Sequence, residues 1–244
     1  MPRKPIVRSK DNYYHIMARS NNREFFYLPQ EIIWNIFVGE LAKLEKEFSV
    51  IIASFVLMNN HFHLLILTPQ QEIDKIMYFF MKRTTLEIQR LSGRVNKIFG
   101  GRYKGSIIKN YSYLVNVYKY ICLNPVKAAI TTKAEYYPYS TLFYKYKSST
   151  SLPFSVKEII PPVAFENYED LDELKWINLG YSEDEEWSIR SGIARTTFEF
   201  AKNNSTGKRI IPEIRSPKKK TIEELWSDLF PEETTLQLSH TFLG

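Results

Sequence analysis

Apolar and polar positions alternate through NYYHIMARS (12–20), the pattern of a strand with one buried face. The pattern then changes period. In PQEIIWNIFVGELAKLEKEF (29–48), Ile33, Ile36, Phe37, Leu41, Leu44 and Phe48 fall at helical spacing. SVIIASFVLM (49–58) is a short run rich in β-branched residues and reads as a buried strand. Asn59-Asn60 can supply a tight hairpin turn, because Asn tolerates positive φ, and HFHLLILT (61–68) is the returning strand. A second helix is predicted over 70–92, with Ile73, Ile76, Met77, Phe80, Thr84, Ile88 and Leu91 on one stripe. YKGSIIKN (103–110) reads as a fourth strand. SYLVNVYKYICLN (112–124) reads as a third helix that ends near Pro125, since the residue before proline disfavours the α region.

The order β-α-β-β-α-β is that of a ferredoxin-like sandwich, an α+β fold with both helices on one face of an antiparallel sheet. The other face is then free for a site, and the helix after the last strand can lie near it. KSSTSLP (147–153) reads as a boundary. It divides a domain at 1–147, with its added third helix, from a mainly helical C-terminal extension at 148–244. Helical stretches are expected in that extension at about 166–178 and 183–203, and a short helix at Thr221, where Thr221 and Glu224 can form a capping box.

Charge sharpens this division. Residues 1–150 hold 22 Lys+Arg against 10 Asp+Glu, or +12, and residues 151–244 hold 11 against 17, or −6. A basic body suits a polyanionic partner. The acidic stretch, including YEDLDE and SEDEE, reads as solvated surface or as a cover for the basic face. The single cysteine, Cys122, excludes an internal disulfide framework. No apolar stretch is long enough to span a membrane, and the N-terminus lacks the apolar core of a signal peptide. A cytoplasmic, nucleoid-associated protein is expected.

Two of the four histidines stand one residue apart in MNNHFHLLIL (58–67). Side chains of a strand alternate, so His61, His63 and Leu65 share one face and Phe62, Leu64 and Ile66 the other. Paired imidazoles on one face suggest a metal, although a lone His-x-His can equally be structural. Further ligands can come from the third helix, where Tyr120 and Asn124 are four apart and share a face. Two imidazoles and an amide oxygen would leave open positions on a divalent ion for a phosphate, and a phenol beside it could attack phosphorus. Asn124 can instead be only the residue that closes a helix before proline.

These segments resemble the single-tyrosine HUH transposases, the IS200-like family, and most closely its REP-associated tyrosine transposase branch. The resemblance is carried by YYHIMARSNNREFFY (13–27), FVLMNNHFHLLI (55–66), GRYKGSII (101–108), YLVNVYKYICLNPVKAAI (113–130) and YPYSTLFYKY (137–146), in order. It implies a ferredoxin-like core that cuts single-stranded, hairpin-associated DNA through a 5′-phosphotyrosine intermediate. By position, His61 and His63 match the metal pair and Tyr120 the nucleophile. Asn124 matches the third ligand, where many relatives carry glutamine. The implied metal is Mg2+ or Mn2+, and a homodimer is one of the family's assembly states. Residues 150–244 lie outside the resemblance.

Candidate DNA contacts are Arg102, Tyr103, Lys104 and Lys109 in the stretch GRYKGSIIK (101–109), since cations meet phosphates and an aromatic ring can stack on an unpaired base. Arg19, Arg23, Lys82 and Arg83 are further candidates. The fourth strand's charges can alternatively serve only to protect a sheet edge. Three other functions compete with strand transfer: a domesticated hairpin-binding protein that does not cleave, an HUH replication initiator or relaxase, and a metal hydrolase, which would need ligands beyond His15 and His240.

Overall fold

The computed structural model describes residues 7–160 and 171–212 of the chain. Strands β1 (Tyr13–Arg19), β2 (Ile51–Leu57), β3 (His61–Leu67) and β4 (Lys104–Ile108) form one antiparallel sheet in the order β2-β3-β1-β4. Helix α1 (Gln30–Phe48) joins β1 to β2 and α2 (Ile73–Ser92) joins β3 to β4. This is the ferredoxin-like sandwich that the periodicity predicts. Tyr14, Ile16, Ala18, Phe62, Leu64 and Ile66 point to one side, where they meet Ile33, Phe37 and Leu41 of α1 and Met77 and Phe80 of α2. The α2 stripe is buried as expected except at Leu91, which is 45% exposed where the helix runs out at Gly93. Gly93 has φ +68°, the left-handed conformation that ends a helix at low steric penalty.

The β2–β3 turn forms at Asn59-Asn60, but neither residue takes positive φ. The asparagines serve another purpose. Their carbonyls accept from Ser20 and Phe26, and Asn60 Nδ2 donates to the Arg23 carbonyl, which ties the loop after β1 to this hairpin.

The opposite face of the sheet is covered, not free. Helix α3 (Tyr111–Lys127) lies on it, followed by α4 (Thr141–Tyr146), α5 (Glu173–Asn178) and α6 (Glu183–Ile193). A second core joins Val56 and Leu65 of the sheet to Val117 and Ile121 of α3 and to Trp176, Ile177, Ile189, Phe198 and Phe200 beyond residue 170. Two polar clasps reinforce this join. Lys119 Nζ sits 4.6 Å from the ring centres of both Trp176 and Tyr181. Glu173 accepts from Tyr118 (2.6 Å), Lys145 (2.5 Å) and Tyr146 (2.5 Å).

Helix α3 does not stop before proline. It starts at Asn110, whose side chain caps Tyr113 N–H, and continues through Pro125 to Lys127. Pro125 cannot donate to the Ile121 carbonyl. Asn124 Nδ2 donates instead, to Tyr120 O at 2.9 Å and Ile121 O at 3.3 Å, so the carbonyl that proline would orphan is satisfied.

Helix α6 ends at Ile193 rather than 203. Thr196–Phe200 is extended, with Phe198 and Phe200 buried on alternate positions, and pairs with β4 through Ile107 N–H to Thr196 O and Phe198 N–H to Ile107 O. Gly192 permits this close return, since a Cβ there would lie 2.6 Å from the Glu199 carbonyl. The β2 edge is covered in the same way by Tyr139–Ser140 and Val156–Lys157. Both edges are therefore protected by backbone from the later chain, which is a fuller solution than surface charge. The helix expected at Thr221, residues 166–170 of the stretch expected at 166–178, and His240 lie outside the described residues.

Phe198→Ala should test whether the two faces form one folding unit. Removing a fully buried Phe costs about 3–5 kcal/mol. One urea transition at lower midpoint is expected, monitored by far-UV circular dichroism and tryptophan fluorescence. Two separated transitions would show that the faces unfold independently.

Candidate active site

The strand register assembles the site. His15, Met17 and Arg19 of β1 stand opposite Leu65, His63 and His61 of β3. Lys104 of β4 stands beside Met17. All point toward α3, which lies across this end of the sheet. A cleft of about 440 Å³ opens there, lined by His15, His61, His63, Tyr120 and Asn124, with Arg19, Lys104, Lys127, Glu186 and Arg190 around them. The residues expected to carry the chemistry are thus gathered from β3 and α3 into one cavity.

Each histidine is held in a defined way. His61 Nδ1 lies 2.7 Å from Asn60 Oδ1, and Asn60 is itself oriented by donating to Arg23 O. An amide oxygen only accepts, so His61 carries its hydrogen on Nδ1 and presents a bare Nε2. His63 Nδ1 lies 2.8 Å from His15 Nε2, with the rings stacked, so it can donate there and likewise present Nε2. Burial depresses all three imidazoles: His15 to about 3, His61 to about 4, and His63 well below its ordinary value. They are neutral, the form that binds a metal. On Asn124 the NH2 group is tied to α3 carbonyls, which leaves Oδ1 as its other polar atom.

The donor set therefore suits a divalent ion: two neutral imidazole nitrogens and an amide oxygen on one cavity. Among the described residues no group of three or more His, Cys, Asp or Glu is placed to hold a metal, so an ion here would depend on Asn124 and water or phosphate. Tyr120 packs edge-on to His63, ring centres 6.1 Å apart. Lys127 Nζ lies 5.3 Å from its ring centre. Burial, with Glu186 adding to it and Arg190 opposing, raises the phenol above its ordinary value.

The remaining candidates divide by location. Arg19 and Lys104 line the cleft, and Arg23 lies on the loop held by Asn60. Lys109 is exposed at the far end of β4, next to the α3 cap. Lys82 and Arg83 are on α2, across the sheet from the histidines. Arg83 makes a two-pronged bond to Glu47 of α1 at 2.7 and 3.0 Å, a clasp between helices. Tyr103 cannot serve as an open stacking platform: it is 7% exposed, belongs to the α1/α2 core and donates its hydroxyl to Asp74 at 2.9 Å. Arg102 pairs with the same carboxylate.

The cleft also contains residues that sequence reasoning did not single out. Lys127 follows Tyr120 and Asn124 at helical spacing, so its place on their face was readable. Glu186 and Arg190 come from α6, which begins with a capping box between Ser182 and Glu185. Glu186 bonds Lys127 at 2.9 Å, so part of the acidic stretch does meet the basic cleft. No pattern in the sequence announces that this helix closes over α3.

The buried imidazoles predict acid sensitivity. Their folded-state values lie below the ordinary 6.5, so at pH 4–6.5 the unfolded chain binds more protons than the folded one. Stability is intact above about pH 6.5 and declines as pH falls toward 4. A decrease on the order of 2 kcal/mol for each of the three imidazoles is expected between pH 7 and 5 from urea unfolding. His15→Phe should flatten part of that slope, and an unchanged slope would place His15 in a wetter setting.

Comparison with known proteins follows the same lines. Residues 8–123 match the family model described as transposase, IS200-like. Among solved structures, the chain is similar to a REP-associated tyrosine transposase bound to a REP hairpin, with TM-score 0.51 and 16% identity, over 66% of this chain and 94% of that one. It also matches a candidate transposase from Deinococcus radiodurans R1 at TM-score 0.34 and 12% identity, over 50% of this chain and 94% of that one. No curated protein matches. Among the described residues no helix is long and apolar enough to cross a membrane.

Proposed function

We propose, from the premise that residues 8–123 belong to the IS200-like transposase family, that this protein cleaves and rejoins single-stranded, hairpin-associated DNA with Tyr120 as nucleophile. The observation that carries this reading is the convergence of His61, His63, Asn124 and Tyr120 on one cationic cleft. The hairpin in the similar solved structure supports the choice of substrate.

The residues divide the work. His61 Nε2, His63 Nε2 and Asn124 Oδ1 would hold Mg2+ or Mn2+, which supplies Lewis-acid polarisation of the scissile phosphate. Arg19, Lys104, Lys127 and Arg190 draw the DNA backbone into the cleft. Tyr120 Oη attacks phosphorus, forms the 5′-phosphotyrosine bond and releases a 3′-oxygen. The phenol proton leaves as the new bond forms, and the departing oxygen takes one up. Rejoining is the reverse, with an incoming 3′-hydroxyl displacing Tyr120.

Incubation with single-stranded hairpins and Mn2+, read on a denaturing gel, should give a covalent protein–DNA adduct. The fully paired duplex of the same sequence should give none. Binding should weaken steeply with salt, since each phosphate contact releases a counterion, and several contacts imply about a hundredfold or more between 50 and 200 mM. Equal reaction with duplex, or binding indifferent to salt, would overturn the assignment.

A further inference from the structure

The cleft does not end at Tyr120. Lys104, Ile193 and Ala194 line both the cleft and a groove of about 720 Å³ between the start of β4 and residues 193–199, where Arg102 and Arg195 stand. Arg102 and Tyr103 are shared in turn with a hollow of about 490 Å³ beside α2, around the sheet edge. The three spaces thus follow one another through shared lining residues, from the histidines over β4 to the helix face.

The hollow differs from the path that leads to it. Its wall is apolar, formed by Met77, Met81, Leu86, Ile98 and Phe99, and Tyr78 stands at its side 57% exposed. Lys82 and Lys97 add positive charge at its lining. Asp74, the one acidic residue there among the described residues, is engaged by Arg8, Arg102 and Tyr103 and so is neutralised. A phosphate track alone needs cations and no greasy recess. An unpaired nucleotide needs both, because its phosphate seeks cations and its base seeks an aromatic or apolar face.

We propose that the single strand leaving the catalytic cleft crosses the β4 edge along Lys104, Arg195 and Arg102, and that one of its unpaired bases seats in the α2 hollow against Tyr78. The inference rests on the DNA-cleaving reading above and adds a base-binding site remote from the chemistry. Lys82, on the face opposite the histidines, then acquires a DNA role through this hollow.

Two fluorescent polymers test it on the full chain in EDTA: an oligothymidylate about 20 nucleotides long and a backbone of equal length without bases. Wild-type protein should prefer the oligothymidylate by about fivefold or more, the low end of base–aromatic stacking. Tyr78→Ala, at an exposed position, and Thr85→Trp, which fills the hollow, should bind both polymers equally, at the wild-type affinity for the bare backbone. Lys104→Ala should weaken both polymers alike. The base site is overturned if wild type does not distinguish the polymers or if Tyr78→Ala weakens both. Binding of neither polymer overturns the base site, and a Tyr120 adduct with the hairpin would then leave the DNA-cleaving reading standing, whereas the absence of that adduct removes the DNA reading as well.

Discussion

Tyr120→Phe is expected to fold, to bind DNA and to form no covalent adduct. The substitution keeps the ring that packs on His63 and lies under Lys127, so the cleft's walls stay in place. It removes only the oxygen that would attack phosphorus. Burial already keeps that phenol neutral in the free protein, so its hydroxyl contributes no charge to DNA binding and its loss should leave affinity within about twofold. The neighbouring tyrosines are internal controls. Tyr113 packs on Phe198 and Phe200, at ring-centre distances of 5.2 and 4.9 Å, and Tyr118 is buried with its hydroxyl on Glu173. Of the three, Tyr120 is the one that lines the cleft. Tyr113→Phe should therefore still form adduct, and mass spectrometry should place the nucleotide on the peptide that contains Tyr120. Adduct from Tyr120→Phe would move the nucleophile elsewhere and dissolve the proposed register.

The parts of the molecule with a strong local signal were legible in the sequence. Period-2 alternation in β1 and period-3.6 stripes in α1 and α2 gave the sandwich, because each element has one face to bury. The His61/His63 face followed from alternation alone, and Tyr120 with Asn124 from helical spacing. What stayed hidden depends on tertiary compensation. Pro125 reads as a stop, yet Asn124 replaces the lost donor and the helix continues. Thr196–Phe200 looked helical because it follows α6 without a break, although its two buried phenylalanines alternate like a strand. Tyr103 looked like a stacking residue because its neighbours are basic, but burial is decided by the α2 side of the sheet and by Asp74. The packing of α5 and α6 against α3, and hence Glu186 and Arg190 in the cleft, is a long-range contact between segments about 60 residues apart in sequence, and periodicity carries no information on such pairs.

The second large effect concerns the histidines and separates ligands from the group behind them. His61→Ala should lose cleavage and Mn2+ binding together while the protein remains folded. His61 is partly exposed, and among the described residues its ring hydrogen-bonds to Asn60 and packs edge-on to His63, so its removal leaves no buried polar group unpaired within the sheet. His63→Ala should lose the same functions but also cost stability, because it opens a cavity and deprives His15 Nε2 of its partner. His15 is the more discriminating position. Its Nε2 lies 2.8 Å from His63 Nδ1, and by accepting there it would leave His63 Nε2 bare toward the cleft, the arrangement by which an outer partner orients a metal-binding imidazole. His15→Phe should keep Tyr120, His61 and His63 in place yet weaken Mn2+ binding by about 10–100-fold, as read by electron paramagnetic resonance titration. Raised Mn2+ should then recover its cleavage, whereas His61→Ala should not recover at any accessible concentration. Full cleavage by His61→Ala and His63→Ala would exclude these imidazoles as ligands. Unaltered Mn2+ affinity in His15→Phe would reduce His15 to a packing residue behind His63.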